Sequence, residues 1–312
     1  MTSFCLRAPL ASHGLLALGL LALGLLAGAC RAPETPAPPA RVMFEDDLGR
    51  TVEVPAAPAR IVPLAPSLTE MLAAAGGLGR LAAVSPYDSY PPEALALPRV
   101  STYPLDREAL LALGADLVVG TDQVNNPAEG DDLARLGVPA VYFRFTSLSD
   151  VPRVLRRMGT LLGTEATAEQ GARAFEDAVA RHAAAARPGA PPRTLVLISD
   201  DVLYAFGGAS YVHEMVRLAG GESLTARFPG EGVTLSSEFV LEAQPERIVV
   251  LGGAGYDPAR LVARHPTWRG LPAVAGGHVC GLEADLVSRP GPRLVQGLEA
   301  LRACLAPAPE AR

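Results

Sequence analysis

The sequence predicts an α/β protein of two Rossmann-like lobes, each with a mainly parallel sheet, joined by one long α-helix. Three observations carry that expectation. Short apolar runs alternate with helical patterns between residues 60 and 162, as in a parallel sheet covered on both faces. The same alternation returns between residues 194 and 305. Between the two blocks, residues 167–186 hold good helix formers, no proline and one glycine.

The chain opens with an address rather than with fold. Residues 1–29 carry one charge, Arg7, and an apolar stretch over 15–27. That stretch is short for a membrane span and is rich in Leu, Ala and Gly, as the core of an export signal is. It ends Leu26-Ala27-Gly28-Ala29-Cys30. Small residues before a cysteine resemble the lipobox of bacterial lipoproteins, which implies lipidation of Cys30; Ala27 stands where that motif prefers Leu. An ordinary cleaved signal or a single-span anchor are the alternatives, and each places the remainder outside the cytoplasm. Residues 30–40 are a Pro/Ala tether, too poor in apolar bulk to build a core. Loss of residues 1–29 removes Arg7 and leaves 283 residues with net charge −7.

The first lobe is expected over 41–166. Strands are predicted at 60–64, 81–85, 117–120 and 140–143, and helices at 67–75, 107–113, 131–136 and 151–162. The linking helix is expected over 167–187. Thr167 and Gln170 have capping-box spacing, Phe175 and Val179 form an i, i+4 apolar stripe, and Arg187-Pro188-Gly189 is a stop. The second lobe is expected over 188–312, with strands at 194–199, 247–251 and 278–281. Its helices are predicted at 211–219, 237–243 and 292–305. Cys5 leaves with the signal and Cys30 takes the lipid. Cys280 and Cys304 remain in an oxidising compartment, so a disulfide between them is expected, two separate thiols being the alternative.

Composition removes several function classes. All 27 basic residues are arginine, so neither a lysine Schiff base nor a P-loop lysine exists. The acidic balance argues against a nucleic-acid partner. Gly208-Ala209-Ser210-Tyr211-Val212 lacks the second glycine of a nucleophile elbow, so no catalytic residue is expected. His182, His213, His265 and His278 are scattered without ligand spacing, so no metal site is expected either. Ligands of open α/β sheets bind beyond the strand C-terminal ends. Two facing lobes therefore make a cleft walled by the loops that follow the strands.

Several segments resemble the substrate-binding proteins of ABC importers for cobalamin and iron chelates. Phe44-Glu45-Asp46-Asp47-Leu48-Gly49-Arg50 looks like their opening hairpin. Arg60-Ile61-Val62-Pro63-Leu64-Ala65-Pro66-Ser67-Leu68-Thr69-Glu70 looks like their first strand and helix. Leu136-Gly137-Val138-Pro139 and Leu218-Ala219-Gly220-Gly221-Glu222 stand at matching places. The likeness covers roughly 42–306 and is strongest to the cobalamin-binding branch, through Ser85-Pro86-Tyr87-Asp88-Ser89-Tyr90-Pro91-Pro92 and Val100-Ser101-Thr102-Tyr103. It implies a helical-backbone periplasmic binding protein fold with a small opening motion, and a monomer that captures a corrinoid. No cofactor is implied beyond that ligand. The partners implied are a permease dimer with its ATPase, and the membrane only through the N-terminal lipid. Haem or a ferric siderophore is the alternative ligand, and an exported hydrolase the alternative class.

A corrin is a broad apolar plate with amides on its rim, so its site needs flat aromatic surface and a few orienting polar groups. By the resemblance, Tyr87, Tyr90 and Tyr103 face the ligand, Tyr103 standing where the family carries a Trp. Thr121 replaces a second family Trp, leaving Asp122 and Gln123 to offer hydrogen bonds. Asp285 and Arg289 match second-lobe ligand contacts. The family's Trp in that lobe is replaced by Gly within 228–232, for which Tyr204 or Phe206 could compensate; Tyr211 reads as core. Glu108 and Glu238 match exposed acids that meet arginines of the permease.

Overall fold

The structure, a computed structural model, describes residues 40–185 and 189–306. The export signal, Cys30 and the rest of the tether before Ala40 lie outside the described residues. Among the described residues no helix is long and apolar enough to cross a membrane.

The first lobe opens with the antiparallel hairpin β1 (Arg41–Glu45) and β2 (Thr51–Pro55). Asp46 closes its turn, one carboxylate oxygen accepting from the backbone N–H of Leu48 and of Arg50. Then come β3 (Ile61–Pro63), α1 (Pro66–Ala74), α2 (Arg107–Ala112), β4 (Leu117–Gly120), α3 (Pro127–Arg135), β5 (Ala140–Tyr142) and α4 (Asp150–Leu162). Strands β3, β4 and β5 form a parallel sheet with β4 central. All three are fully buried, which is why they read as continuous apolar runs rather than alternating ones.

Two expectations for this lobe need correction. The predicted strand 81–85 makes only isolated bridges, Leu81 to Ile61 and Val84 to Arg99. Ala82 donates to the Ile61 carbonyl, but the next bond along β3 would need an N–H from Pro63, which has none. The helix expected at 131–136 starts earlier, at Pro127. The Asn126 side chain caps it by accepting from Ala128 N–H, and proline sits at the first helical position where its fixed φ suits.

The linking helix, α5, spans Glu165–Ala184 rather than 167–187. Gly163, at φ +66°, ends α4 in the left-handed conformation, so α5 restarts at once. Thr167 and Gln170 therefore lie inside the helix and form no capping box. Ala168, Ala172 and Phe175 are its buried face. Gly159 of α4 lets the pair approach closely, since a Cβ there would stand 2.5 Å from that of Ala168. α5 also packs against α1.

The second lobe contains β6 (Arg193–Ser199), β7 (Tyr204–Phe206), α6 (Val212–Leu218), β8 (Glu222–Ser223), β9 (Gly232–Thr234) and α7 (Ser237–Ala243). β10 (Arg247–Val250), α8 (Pro258–Arg264), α9 (Pro272–Ala275), β11 (Val279–Gly281), α10 (Asp285–Ser288) and α11 (Leu294–Cys304) follow. The sheet order is β11-β10-β6-β7-β9, with β8 beside β6. The β11, β10, β6 and β8 pairings are parallel; β7 and β9 add an antiparallel extension absent from the sequence reading. Cys280 and Cys304 are disulfide-bonded, their Cα atoms 6.1 Å apart, tying β11 to α11. Closing a loop of this length contributes about 3 kcal/mol.

α5 packs against α6 and α11 as well as α1. One apolar cluster accordingly runs through both lobes, from Leu68 and Phe143 through Phe175 to Met215 and Leu298. A shared core of this kind resists wide separation, because opening it would expose close-packed apolar surface.

Candidate ligand cleft

Between the lobes lies a cavity of about 270 Å³. Pro66, Thr121 and Gln123 wall it from the first lobe, Tyr204, Phe206 and Glu231 from the second. Thr121 and Gln123 directly follow β4, and Pro66 lies just beyond β3, so these walls stand past strand C-terminal ends as the sheet rule requires. A larger cavity, about 580 Å³, opens beside Ala183, Pro192 and Gly221; none of the predicted ligand residues lines it.

The loop bearing Tyr87 is held from beneath. Asp88 accepts from the Ser85 backbone N–H at 2.9 Å and from its hydroxyl at 2.6 Å. Arg99 donates to the Ser85 and Asp88 carbonyls at 2.8 and 3.0 Å. With the backbone fixed, the Tyr87 ring is left 66% exposed, and Tyr103 on the neighbouring loop is 84% exposed. Tyr90 differs: the Arg293 guanidinium stacks on its ring, 4.5 Å from the centroid.

Asp285 and Arg289 do form their pair, at 2.9 Å. Both also reach across to the first lobe. Arg289 donates to the Ser89 hydroxyl at 2.7 Å and to the Tyr87 carbonyl at 3.0 Å, and Ser89 donates to Asp285 at 2.8 Å. One turn on, Arg293 binds both oxygens of Glu70, at 2.8 and 2.5 Å. Glu70 is buried, its side chain only 2% exposed, and its carboxylate pushes the Arg293 pKa upward. Arg289 thus lines the cavity with its donors already engaged by protein.

Of Tyr87, Tyr90, Tyr103, Asp122, Asp285 and Arg289, only Arg289 is among the walls of this cavity. Asp122 pairs with Arg144, whose pKa it raises by that hydrogen bond. The guanidinium holds the Asp122 carboxylate, and Gln123 lines the cavity. In the second lobe Tyr211 is core, its hydroxyl donating to the Val287 carbonyl at 2.9 Å, and burial drives its pKa up. Tyr204 explains the glycine within 228–232. A Cβ on Gly232 would stand 2.0 Å from the Tyr204 hydroxyl oxygen, so that ring occupies the space a larger residue there would need.

The two acids of the docking expectation sit in matching frames. Asp106 caps α2 by accepting from Ala109 N–H, and Ser236 caps α7 by accepting from Phe239 N–H. Glu108 and Glu238 are each the second residue of their helix and exposed. Each stands nine positions before a buried parallel strand of its lobe, Leu117 of β4 and Arg247 of β10. The Glu238 carboxyl is held below its ordinary pKa by its own backbone N–H and the Ser236 hydroxyl. Neither acid has a cationic partner among the described residues. No group of three or more His, Cys, Asp or Glu side chains among them is placed to hold a metal ion.

The family described as periplasmic binding protein matches residues 61–286. The chain belongs to the periplasmic binding protein family. Within reach of it is a vitamin B12-binding protein of Pectobacterium carotovorum, 31% identical over 243 residues, covering 77% of this chain and 86% of that one. The crystal structure of the periplasmic vitamin B12 binding protein BtuF of Vibrio cholerae superposes with a TM-score of 0.67 at 27% identity, covering 80% and 96%. The periplasmic heme-binding protein RhuT from Roseiflexus superposes with 0.70 at 27%, covering 80% and 98%. The family has a two-lobed fold suited to carrying a ligand between lobes, and the geometry above follows it.

Four residues of the cleft escaped the sequence reading as functional: Glu70, Ser89, Glu231 and Arg293. Only Arg293 left a signal, four positions after Arg289 in a segment dense in Pro and Gly. The partners of the others lie 100 or more residues away in the chain, where no local spacing registers them.

Proposed function

We propose that the chain is the extracytoplasmic substrate-binding protein of an ABC importer, which captures cobalamin or a related corrinoid between its lobes. The observation that carries this reading is the exposed Tyr87, on a braced loop at the junction of the lobes, with a second exposed ring, Tyr103, in the same lobe. Flat rings with polar tips suit an apolar macrocycle whose rim bears amides. Similarity to vitamin B12-binding proteins supports the same ligand. The cavity as it stands, about 270 Å³, is far smaller than a corrinoid, so only an edge of the ligand enters it and the rest lies outside, where Tyr87 is exposed.

Glu108 and Glu238 then serve as paired docking acids, one per lobe, for a permease with two-fold symmetry. Cys30 carries the lipid, and the tether lets the lobes stand off the membrane. Incubation of the mature chain with cyanocobalamin, haemin and a ferric siderophore, followed by gel filtration and visible spectra, tests the ligand. A corrinoid spectrum at one equivalent is expected, with the ligand recovered unchanged. Retention of haemin alone would overturn the reading, and hydrolysed ligand would favour an enzyme.

A further inference from the structure

Two charged side chains line the cavity, Arg289 and Glu231. Their situations are opposite. Arg289 is neutralised by Asp285 at 2.9 Å, with Glu70 a further 3.9 Å away. The other cationic group nearby, Arg144, is neutralised by Asp122. Glu231 makes no ion pair among the described residues. Its one side-chain hydrogen bond there is to a neutral group: the Gln123 amide donates to it at 3.1 Å across the cleft, and the Arg144 charge reaches it only at longer range. Gln123 is itself anchored, donating to the Phe145 carbonyl at 3.0 Å. Beside them the Thr121 hydroxyl is buried and makes no hydrogen bond among the described residues. The uncompensated charge on the cavity wall is therefore negative, and its neighbours are neutral hydrogen-bonding groups.

A carboxylate so placed does two things. It repels ligand carboxylates and catecholates, for which the wall offers no free cation. It accepts strongly from an amide N–H, because a hydrogen bond to an ionised acceptor is stronger than a neutral one. The Gln123 amide already occupies that acceptor and shows which ligand group would replace it.

We propose that Glu231 is a specificity-determining residue that selects neutral, carboxamide-rimmed macrocycles against anionic ones such as haem, whose propionates it repels. The proposal rests on the corrinoid reading. It concerns the charge of the wall rather than the aromatic rim, and Glu231 is exposed on its loop, so its replacement need not disturb the core.

The test is isothermal titration of the wild-type mature chain, Glu231→Gln and Glu231→Arg with cyanocobalamin and with haemin, at low and high salt. Thermal melts confirm that each variant is folded. Glu231→Arg should bind haemin about tenfold more tightly and cyanocobalamin about tenfold more weakly than wild type, with Glu231→Gln shifting both in the same direction by less. Wild-type discrimination against haemin should weaken at high salt, as a screened charge requires, and that of Glu231→Gln should not. If wild type prefers cyanocobalamin and both variants keep the preference within twofold, the charge filter is wrong and the corrinoid reading stands. If wild type prefers haemin, the corrinoid reading itself fails and takes the filter with it.

Discussion

Several polar contacts cross between the lobes, among them the hydrogen bond that the Leu148 N–H donates to Glu214, and two of the crossings differ sharply in burial. At one, Arg289 and Arg293 of the second lobe enclose the buried Glu70 of the first and reach Ser89 and Tyr87. At the other, a single amide of Gln123 meets the exposed carboxylate of Glu231. Ions withdrawn from water are costly to separate, whereas an exposed hydrogen bond exchanges readily with solvent. The first crossing therefore stiffens the junction, with the shared core beneath it. The second is free to trade its protein partner for a ligand. A binding protein is served by both kinds of contact, one to keep the junction preorganised and one to yield.

The largest expected effect tests that division. Glu70→Ala leaves two guanidinium groups without their buried partner and should cost about 3–5 kcal/mol in urea denaturation. Gln123→Ala should cost at most about 1 kcal/mol. Equal losses would erase the difference between the crossings. Next in size, charge reversal at both docking acids, Glu108→Arg with Glu238→Arg, should abolish uptake in cells while leaving ligand affinity as it was; unchanged uptake would remove the docking assignment. Third, Tyr103→Ala and Tyr87→Ala should each weaken cyanocobalamin binding by roughly 5–20-fold, a stacked ring contributing about 1–2 kcal/mol. Stability should move by less than about 0.5 kcal/mol, because both rings are exposed. A melting temperature that falls with affinity would make them structural.

The smallest effect concerns a third junction, where α5 lies on α4. Arg156 and Arg173 hold the exposed Glu169 carboxyl at about 2, below its ordinary 4.5. A lowered carboxyl stabilises the fold above pH 4.5, and that contribution is lost as pH falls from 4.5 towards 2. Glu169→Gln should therefore lie slightly below wild type in melting temperature at neutral pH and converge with it over that window. Salt should shrink the gap, since the pair is solvent-exposed.

Legibility followed the range of the forces involved. β4 and α7 match the predicted bounds, because a run of buried Val or a capped helical stripe is written in adjacent residues. β7 and β9 were invisible: three residues show no period, and their pairing is settled by the close backbone approach of Gly207 to Gly230 and of Gly208 to Ala226 and by Tyr204 lying over Gly232. Tyr87 and Tyr103 were legible as rings in Pro-rich loops after apolar runs. The pairing of Asp122 with Arg144 was not legible, since the two are 22 residues apart. Arg289 was read as a ligand donor, while Ser89 and Glu70, some 200 residues earlier, hold its donors.

By itself the sequence determined the alternation of strands and helices, the single linking helix and the absence of lysine. These follow from periodicity and residue type, which act over a few positions. The tertiary structure alone decided which arginines are neutralised, which acid is left uncompensated in the cleft, and which tyrosines stay exposed. Those outcomes depend on through-space distances between charges and on what each ring packs against, and neither is encoded in local spacing.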